Sequence, residues 1–167
     1  MAETAPRHAP ALNDRTDYQQ CFVCGQRNTQ GLKLRFRRDG AKVASEFVPR
    51  PEFQGYPGLL HGGVLFAALD EVMSRIPMLE RQWMVTAKVV YRHRKPVRTG
   101  DRLRLEAELL RRRGRMMEVR ARALLPDGSV AAEAEGLLAR IPDEVQREVD
   151  AVNPSFQGFF DMPDDDA

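Results

Sequence analysis

The feature that most constrains the fold of this chain is a single apolar helix. It lies between segments in which apolar and polar residues alternate as they do in strands. Between Val64 and Ile76, apolar residues recur at helical spacing and predict a continuous stripe: Leu65, Ala68, Leu69, Val72, Met73 and Ile76. Phe66 and Ala67 extend the apolar surface around the other side, so the first two turns are expected to be buried nearly all round. Pro77 is expected to stop the helix, because proline lacks the N–H that a helix interior needs.

Runs of alternating apolar and polar residues predict strands on both sides of this helix. Six runs show the alternation: 32–37, 43–47, 83–92, 103–109, 117–123 and 130–138. Asp39-Gly40 is a turn signal that predicts a hairpin of the first two runs. In the third run, the residues expected to share one face are Val85, Ala87, Val89 and Tyr91. Two strands, one buried helix and four strands predict an α+β fold, with a curved antiparallel sheet around one long central helix.

Length and charge predict a single domain. A chain of 167 residues normally folds as one unit with its own core. We expect disorder in residues 1–14 and little order in 142–167, which leaves 15–141 as the domain. No apolar run approaches the ~20 residues of a membrane span and no signal-peptide stretch is seen, so we expect a cytoplasmic protein without a membrane partner. A formal net charge of +2 gives no reason to expect affinity for nucleic acid.

The helix begins directly after a glycine pair, Gly62-Gly63, which follows His61. The first N–H groups of a helix have no partner within it and lie at the positive end of the helix dipole, so they can hold an oxygen on which negative charge develops. Asp70 lies two turns further on, where a carboxylate is costly to bury unless it is paired, hydrogen-bonded or functional. The combination suits acyl transfer at a carbonyl. The alternative is that Asp70 lies with Glu71 on a solvent-facing edge.

Cys21 and Cys24 form a Cys-x-x-Cys pair with three possible interpretations. The pair is half of a zinc site, which only His8, His61 and His93 could complete. Its spacing is also that of a redox pair. The interpretation favoured at this stage is a small turn before the first strand, with both thiols reduced and no metal bound.

Several motifs recur in the order and spacing of one known family. They are Cys21-Phe-Val-Cys24-Gly25 with Asn28 and Gly31-Leu32, Gly55-Tyr-Pro-Gly-Leu-Leu-His61-Gly62-Gly63, Leu69-Asp70-Glu71, Thr86, Pro96 with Gly100-Asp101, and Ala134-Glu135-Gly136. By these residues, the stretch from Cys21 to Ile141 resembles the hotdog-fold acyl-CoA thioesterases of the PaaI-like and THEM group. The resemblance implies hydrolysis of an acyl-CoA thioester to the free acid and CoA, without a cofactor.

The resemblance also implies roles for the residues around the helix. The N–H of Gly62, helped by Gly63, would polarise the thioester carbonyl. Asp70 would act as a nucleophile or as a base toward water, and the residues leave that choice open. His61 is implied to orient the site rather than to act as the base, and Thr86 to hold the water or steer the carboxylate.

Substrate contacts are implied less directly. Some relatives carry an asparagine six residues before the histidine, where this chain has Gly55, and the adjacent Gln54 is the expected substitute. Phe66 is expected to help shape the acyl pocket. The CoA phosphates need cations at the mouth of the site, for which two clusters are candidates: Arg92, Arg94, Lys95 and Arg98, and Arg111, Arg112, Arg113 and Arg115. The alternative for both clusters is a solvated turn.

Relatives assemble as dimers, often as pairs of dimers, and the same is implied here. Gly62 and His61 of one subunit would then face Asp70 and Thr86 of the other. A six-stranded sheet around one helix leaves strand edges that such pairing would cover. Two alternatives for the function stay open at this point: a hotdog hydratase or dehydratase of acyl thioesters, and a non-catalytic module that binds acyl-CoA.

Overall fold

A computed structural model describes residues 20–152 of the chain. Its helices and strands are β1 (Phe36–Asp39), β2 (Lys42–Phe47), α1 (Gly62–Ser74), β3 (Met84–His93), β4 (Leu103–Arg113), β5 (Met116–Leu124), β6 (Val130–Arg140) and α2 (Asp143–Val152). The strands form one sheet in the order β1-β2-β4-β5-β6-β3, and all neighbours are antiparallel. α1 packs against β2 to β6. The predicted α+β architecture is confirmed.

The first two strands form the predicted hairpin. Gly40 in its turn has φ +59°, a left-handed conformation that glycine adopts without steric cost. The first strand begins only at Phe36 and not at Leu32, where the alternation begins. Leu32 and Leu34 are nevertheless buried. Their N–H groups donate to backbone carbonyls of the preceding turn, at 2.8 and 2.9 Å, so this stretch is held by a turn instead of a strand partner.

The alternation predicted for the third run is wrong, because β3 contains a bulge. β3 pairs with β6, and the register shifts at Ala87, directly after Thr86. One extra residue moves all later side chains to the opposite face from the one that strict alternation would give. Val85 therefore lies outside, 55% exposed, while Val89 and Tyr91 pack against the core. The inner face carries Thr86 before the bulge and Val89 and Tyr91 after it.

The core lies between α1 and the inner face of the sheet. The helix side chains of the predicted stripe are buried: Leu65, Ala68, Leu69, Val72 and Met73. Leu105, Val119 and Leu138 on β4, β5 and β6 are fully buried opposite them. Gly136 lets the helix approach β6, since a Cβ at this position would lie 3.0 Å from the sulfur of Met73.

The end of α1 and the C-terminal segment differ in detail from the sequence prediction. α1 ends at Ser74, and Pro77 begins a short 3-10 helix, Pro77–Glu80, instead of stopping α1 directly. α2 lies within the segment for which the sequence predicts little order, while residues 1–14 and 153–167 lie outside the described residues. Between residues 20 and 152, no helix has the length and apolar character needed to cross a membrane. The cytoplasmic location stays a prediction.

Truncation of Leu69 tests the helix–sheet contact. Leu69 is fully buried, so Leu69→Ala removes apolar burial and leaves a cavity, and the free energy of unfolding should fall by about 2–5 kcal/mol. Denaturant unfolding at one fixed protein concentration measures the change. Leu110→Ala is the matched control, because Leu110 is 43% exposed and should cost about 0.5 kcal/mol or less. Equal stability of the two variants would contradict a core position for Leu69.

Candidate active site at the start of the central helix

His61 caps the N-terminus of α1. Its backbone is extended, with φ −63° and ψ 130°, and its Nδ1 accepts the N–H of Gly63 at 3.0 Å. The ring also lies close to Gly55, where a Cβ would come 3.1 Å from Cδ2. This contact fits the supporting role predicted for His61. Because the cap uses the N–H of Gly63, the remaining donor of interest at this helix start is Gly62.

Gly62 presents an N–H that makes no hydrogen bond within residues 20–152. The next N–H groups, of Val64 and Leu65, donate to the carbonyl of His61 at 3.0 and 3.2 Å. A Cβ on Gly62 would lie 2.8 Å from both Cε1 and Nε2 of His93. The imidazole therefore lies directly against this position, and only glycine leaves room for it.

Asp70 is half-buried and bonded to a side chain of β3. Its Oδ1 accepts the hydroxyl of Thr86 at 2.9 Å, and Thr86 is the residue directly before the bulge in β3. Burial raises the pKa of Asp70 above its ordinary value, the Thr86 hydrogen bond acts against that rise, and the Glu71 carboxylate adds to it. A positioned carboxylate with a raised pKa is suited to accept a proton or to attack a carbonyl.

The neighbouring carboxylate of Glu71 has a different environment. It pairs with Arg75, four residues further on and directly after the end of α1, and the Arg75 side chain is only 2% exposed. Asp70 and Glu71 therefore do not form the shared solvent-facing edge that was the alternative from sequence. Each carboxylate has its own partner on its own side of the helix.

One row of α1 faces one row of β3. Gly62, Phe66 and Asp70 recur every four residues, which places them along one side of a helix. Their partners on β3 run in the opposite direction, with His93 against Gly62, Tyr91 against Phe66 and Thr86 against Asp70. The structure thus brings the predicted residues of the helix and Thr86 to one helix–strand seam.

Tyr91 and His93 are site residues that the sequence analysis missed. Tyr91 packs edge-to-face against Phe66 at 5.4 Å and against His93 at 4.6 Å between ring centroids, and its hydroxyl lies 3.5 Å from His93 Nδ1. Burial raises the pKa of Tyr91, so the phenol stays protonated near neutral pH. From the sequence, His93 is only a candidate zinc ligand. The available signal was the i, i+2 spacing of the two rings on one strand face.

Gly62 and Asp70 of one chain lie too far apart to act on the same carbonyl. They are eight positions apart in α1, a distance of about 12 Å along the axis. Groups that transfer a proton or stabilise an oxyanion must lie within about 3 Å of the atoms they act on. One chain therefore holds both parts of the predicted machinery without joining them in one site.

Gln54 and Gly55 form hydrogen bonds within the loop that precedes α1. The side-chain oxygen of Gln54 accepts the N–H of Gly58 at 3.1 Å. The N–H of Gly55 donates to the carbonyl of Leu59 at 2.9 Å. Both residues hold the loop that leads to His61, and their contact with a substrate stays a prediction.

The predicted phosphate-binding arginines differ in their partners. Arg94 is paired with Glu133, its Nε lying 3.1 Å from the carboxylate. In the second cluster, Arg111 pairs with Glu118 at 2.6 Å. Between residues 20 and 152, the guanidinium groups of Arg92 and Arg98 form no ion pair, and both residues are exposed. Lys95 is also exposed and forms no ion pair among the described residues, so the first cluster retains three cations for a phosphate.

Comparison with known proteins agrees with this architecture. A family model for the thioesterase superfamily matches residues 57–132, which include the loop, α1, β3, β4 and β5. This segment is therefore similar to the thioesterase superfamily. A search of curated proteins found no match to the chain. This match supports the predicted resemblance to thioesterases, and solved structures that include a PaaI protein share the hotdog fold.

Three solved structures illustrate the likeness. A thioesterase superfamily protein aligns with TM-score 0.69 and 22% identity, covering 83% of this chain and 69% of its own. The Escherichia coli PaaI protein of the phenylacetic acid degradation operon gives 0.63 and 16%, covering 66% and 81%. A Streptococcus mutans protein bound to acetyl-CoA gives 0.61 and 16%, covering 65% and 88%. At these identities the likeness shows the hotdog fold of the thioesterase domain.

Replacement of Thr86 by valine tests the electrostatics of the seam. The hydroxyl lowers the pKa of Asp70, so in Thr86→Val the pKa of Asp70 should be higher than in the wild type. Titration of the Asp70 carboxyl carbon by NMR, assigned with Asp70→Asn, measures it. Thr86→Ser keeps the hydroxyl and should stay close to the wild type. A valine variant with an unchanged or lower pKa would show that this hydrogen bond does not act on Asp70.

Proposed function

We propose that this protein hydrolyses acyl-CoA thioesters to the free acid and CoA, in a site formed by two copies of the chain. The observation that carries the proposal is the half-buried carboxylate of Asp70 on the central helix of a domain similar to the thioesterase superfamily. This carboxylate accepts a hydrogen bond from the hydroxyl of Thr86 on β3 at 2.9 Å. Burial that raises the pKa of a carboxyl group, together with a specific hydrogen bond, is the usual environment of a catalytic acid or base.

Asp70 supplies the group that begins the reaction. As a base, it takes a proton from a water molecule whose oxygen bonds to the carbonyl carbon. As a nucleophile, its own oxygen forms that bond, and water later releases the acid. In both cases the carbon–sulfur bond breaks, the acyl group leaves as the acid and the CoA sulfur leaves as the thiol.

Gly62 supplies the N–H group that stabilises the negative charge formed when the carbonyl is attacked. Negative charge develops on the carbonyl oxygen during attack, and the Gly62 N–H lies at the positive end of the α1 dipole. A fixed donor at that position stabilises the oxyanion, and loss of one such donor in other enzymes slows the reaction by about 10²–10³. Phe66 and Tyr91 lie next along the seam and offer an apolar surface for the acyl group.

The separation of about 12 Å within one helix is the physical argument for a homodimer. If Gly62 and Asp70 act on one carbonyl, they come from different copies. β3 lies at an edge of the sheet and exposes Val85 and Val90, 55% and 43% accessible. An open edge with apolar side chains is a surface that a second strand would cover. Assembly of dimers into tetramers is a prediction from the family resemblance alone.

Two similar structures support CoA as the carrier of the acyl group. The Streptococcus mutans protein was solved with acetyl-CoA, and a Streptococcus pneumoniae TIGR4 protein, 19% identical with TM-score 0.58, was solved with coenzyme A. In this chain, Arg92 and Arg98 are the exposed arginines of the first cluster that make no ion pair within the described range. We propose that they contact the CoA phosphates, with Arg94 contributing less because Glu133 already neutralises it.

Asp70→Asn is the first test of the proposal. The change keeps the shape of the side chain and removes its charge and basicity, so hydrolysis should fall by at least about 10² while the fold is kept. Release of free CoA thiol from a panel of acyl-CoAs, followed with a thiol reagent, measures the rate. Asp39→Asn removes an exposed carboxylate that pairs with Arg104 and serves as the matched control, with a rate close to the wild type.

Other outcomes of the same assay point to other functions. A hydratase would change the absorbance of an enoyl-CoA without releasing thiol, and a binding module would bind acyl-CoA without either change. Glu71→Gln should slow hydrolysis much less than Asp70→Asn, because Glu71 is directed at Arg75, although its removal leaves a buried arginine without its carboxylate and costs stability. Full activity of Asp70→Asn would overturn the assignment of Asp70.

Gly62→Pro tests whether the Gly62 N–H stabilises the oxyanion, and it also supplies one partner for a test of the site formed by two chains. Gly62→Pro removes the N–H, and the extended backbone of His61 accepts a following proline. Gly62→Ala keeps the N–H and adds a similar Cβ. Both are compared in a His93→Ala background, because His93 would otherwise meet that Cβ at 2.8 Å. Hydrolysis should fall by about 10²–10³ in the proline variant relative to the alanine variant.

Mixing two inactive chains then tests the composite site. Co-refolding of Asp70→Asn with the proline variant gives some heterodimers that contain one intact site and one doubly damaged site, so thiol release should recover partly. Mixtures of Asp70→Asn with itself provide the baseline. If every chain carried a complete site, each site would keep one lesion and no activity would return.

A further inference from the structure

The turn of residues 21–25 holds two thiols close together beside α1. The N–H of Gly25 donates to the carbonyl of Cys21 at 3.0 Å and closes the turn. The sulfur of Cys21 accepts the N–H groups of Val23 at 3.4 Å and Cys24 at 3.5 Å. Both sulfurs and a carboxylate oxygen of Glu71 lie within 4.8 Å of one another. The two thiols are thus placed where little movement is needed to join them.

The two thiols differ in exposure and in acidity. Cys21 is partly exposed, whereas Cys24 is 2% exposed. The hydrogen bond from the Cys24 thiol lowers the pKa of Cys21 to about 6, against the effects of burial and of Glu71. The same hydrogen bond and burial raise the pKa of Cys24. An accessible, acidic thiol next to a buried one is the arrangement of an attacking cysteine and its resolving partner.

Arg75 connects this pair to α1. It follows the last residue of the helix, and its guanidinium donates to the sulfur of Cys24 at 3.1 Å while also pairing with Glu71. The same group lies 4.8 Å over the ring of Phe36. The charge of Arg75 lowers the pKa of Cys24 against the larger effects of the Cys21 hydrogen bond and burial. It therefore assists formation of the thiolate that the resolving step requires.

The side chains around Cys21 and Cys24 favour reaction of the thiols over binding of a metal ion. Cys21, Cys24 and Glu71 are the kinds of donor that zinc accepts, but a closed zinc site has four ligands and this cluster has three within the described range. The guanidinium of Arg75 already contacts Cys24 and Glu71. A divalent ion would have to lie beside this fixed positive charge.

We propose that Cys21 and Cys24 are a redox-active dithiol that reacts with low-molecular-weight disulfides. The Cys21 thiolate attacks a disulfide RSSR, forms a mixed disulfide and releases one RS⁻. The Cys24 thiolate then attacks the sulfur of Cys21, forms the Cys21–Cys24 disulfide and releases the second RS⁻. The two cysteines lose two protons and two electrons, and RSSR becomes two RSH. This activity is separate from thioester hydrolysis and does not depend on it.

The test treats the full-length reduced protein with oxidised glutathione as the probe and follows its mass. The wild type should lose two hydrogens and both free thiols together. Cys24→Ser retains the attacking thiol and lacks the resolving one, so it should accumulate one glutathione as a stable mixed disulfide. Cys21→Ser retains only the buried thiol and should react at least ~10-fold more slowly. This asymmetry distinguishes a reactive dithiol from two cysteines with a purely structural role.

A second measurement keeps the proposal testable if a variant folds poorly. The groups facing the Cys21 sulfur from the packed elements include the Cys24 thiol and the carboxylate of Glu71. Alkylation of wild-type Cys21 should rise with a midpoint near pH 6, in line with its lowered pKa. Cys24→Ala should move that midpoint upward, and Cys24→Ser, which keeps a hydroxyl donor, should move it less. Equal reactivity of both thiols, persistence of both thiols in the presence of the probe, or a tightly bound zinc ion that protects them would overturn the proposal.

Discussion

The packing of α1 against the inner face of the sheet is the contact on which the other features depend. Its apolar stripe fills the space above β2 to β6, and the fully buried Leu69 lies in the middle of it. Because a helix has more than one side, burial of this stripe also fixes where the other residues go. Asp70 is turned toward β3 and Glu71 toward Arg75, so one packing contact determines the environment of two neighbouring carboxylates.

The bulge in β3 places Thr86 and Tyr91 on the same face of the strand, the face that packs against α1. Without the extra residue at Ala87, strict alternation would place Thr86 and Tyr91 on opposite faces of the strand. With it, Thr86 meets Asp70 and Tyr91 meets Phe66 along a single seam. Bulges are common beside active sites because they redirect a side chain without changing the rest of the sheet. The local irregularity therefore brings Tyr91 to the same seam as Thr86 and Asp70.

The two adjacent carboxylates illustrate how burial separates chemical roles. Glu71 has the buried cation of Arg75 as its partner, whereas Asp70 is partly buried beside a neutral hydroxyl. Burial raises the pKa of Asp70, although the hydrogen bond from Thr86 acts against that rise. A charged, paired carboxylate contributes to structure and holds Arg75 near Cys24. A carboxylate with a raised pKa and a neutral partner remains available for proton transfer. The same helix thus serves two different sites on two of its sides.

Much of this could be predicted from the sequence, because periodicity and special residues report local geometry. Helical spacing of apolar residues predicted α1, alternation predicted most strands, and Asp39-Gly40 predicted the hairpin. The glycine pair and Asp70 indicated a candidate site for acyl transfer on this helix. The tertiary structure alone decided what these residues meet. The bulge leaves no trace in the alternation pattern, so Val85 was placed on the wrong face. The contact of His93 with Gly62 and of Arg75 with Cys24 joins residues far apart in the chain, and such pairings depend on how the helix and the sheet pack and not on any local pattern.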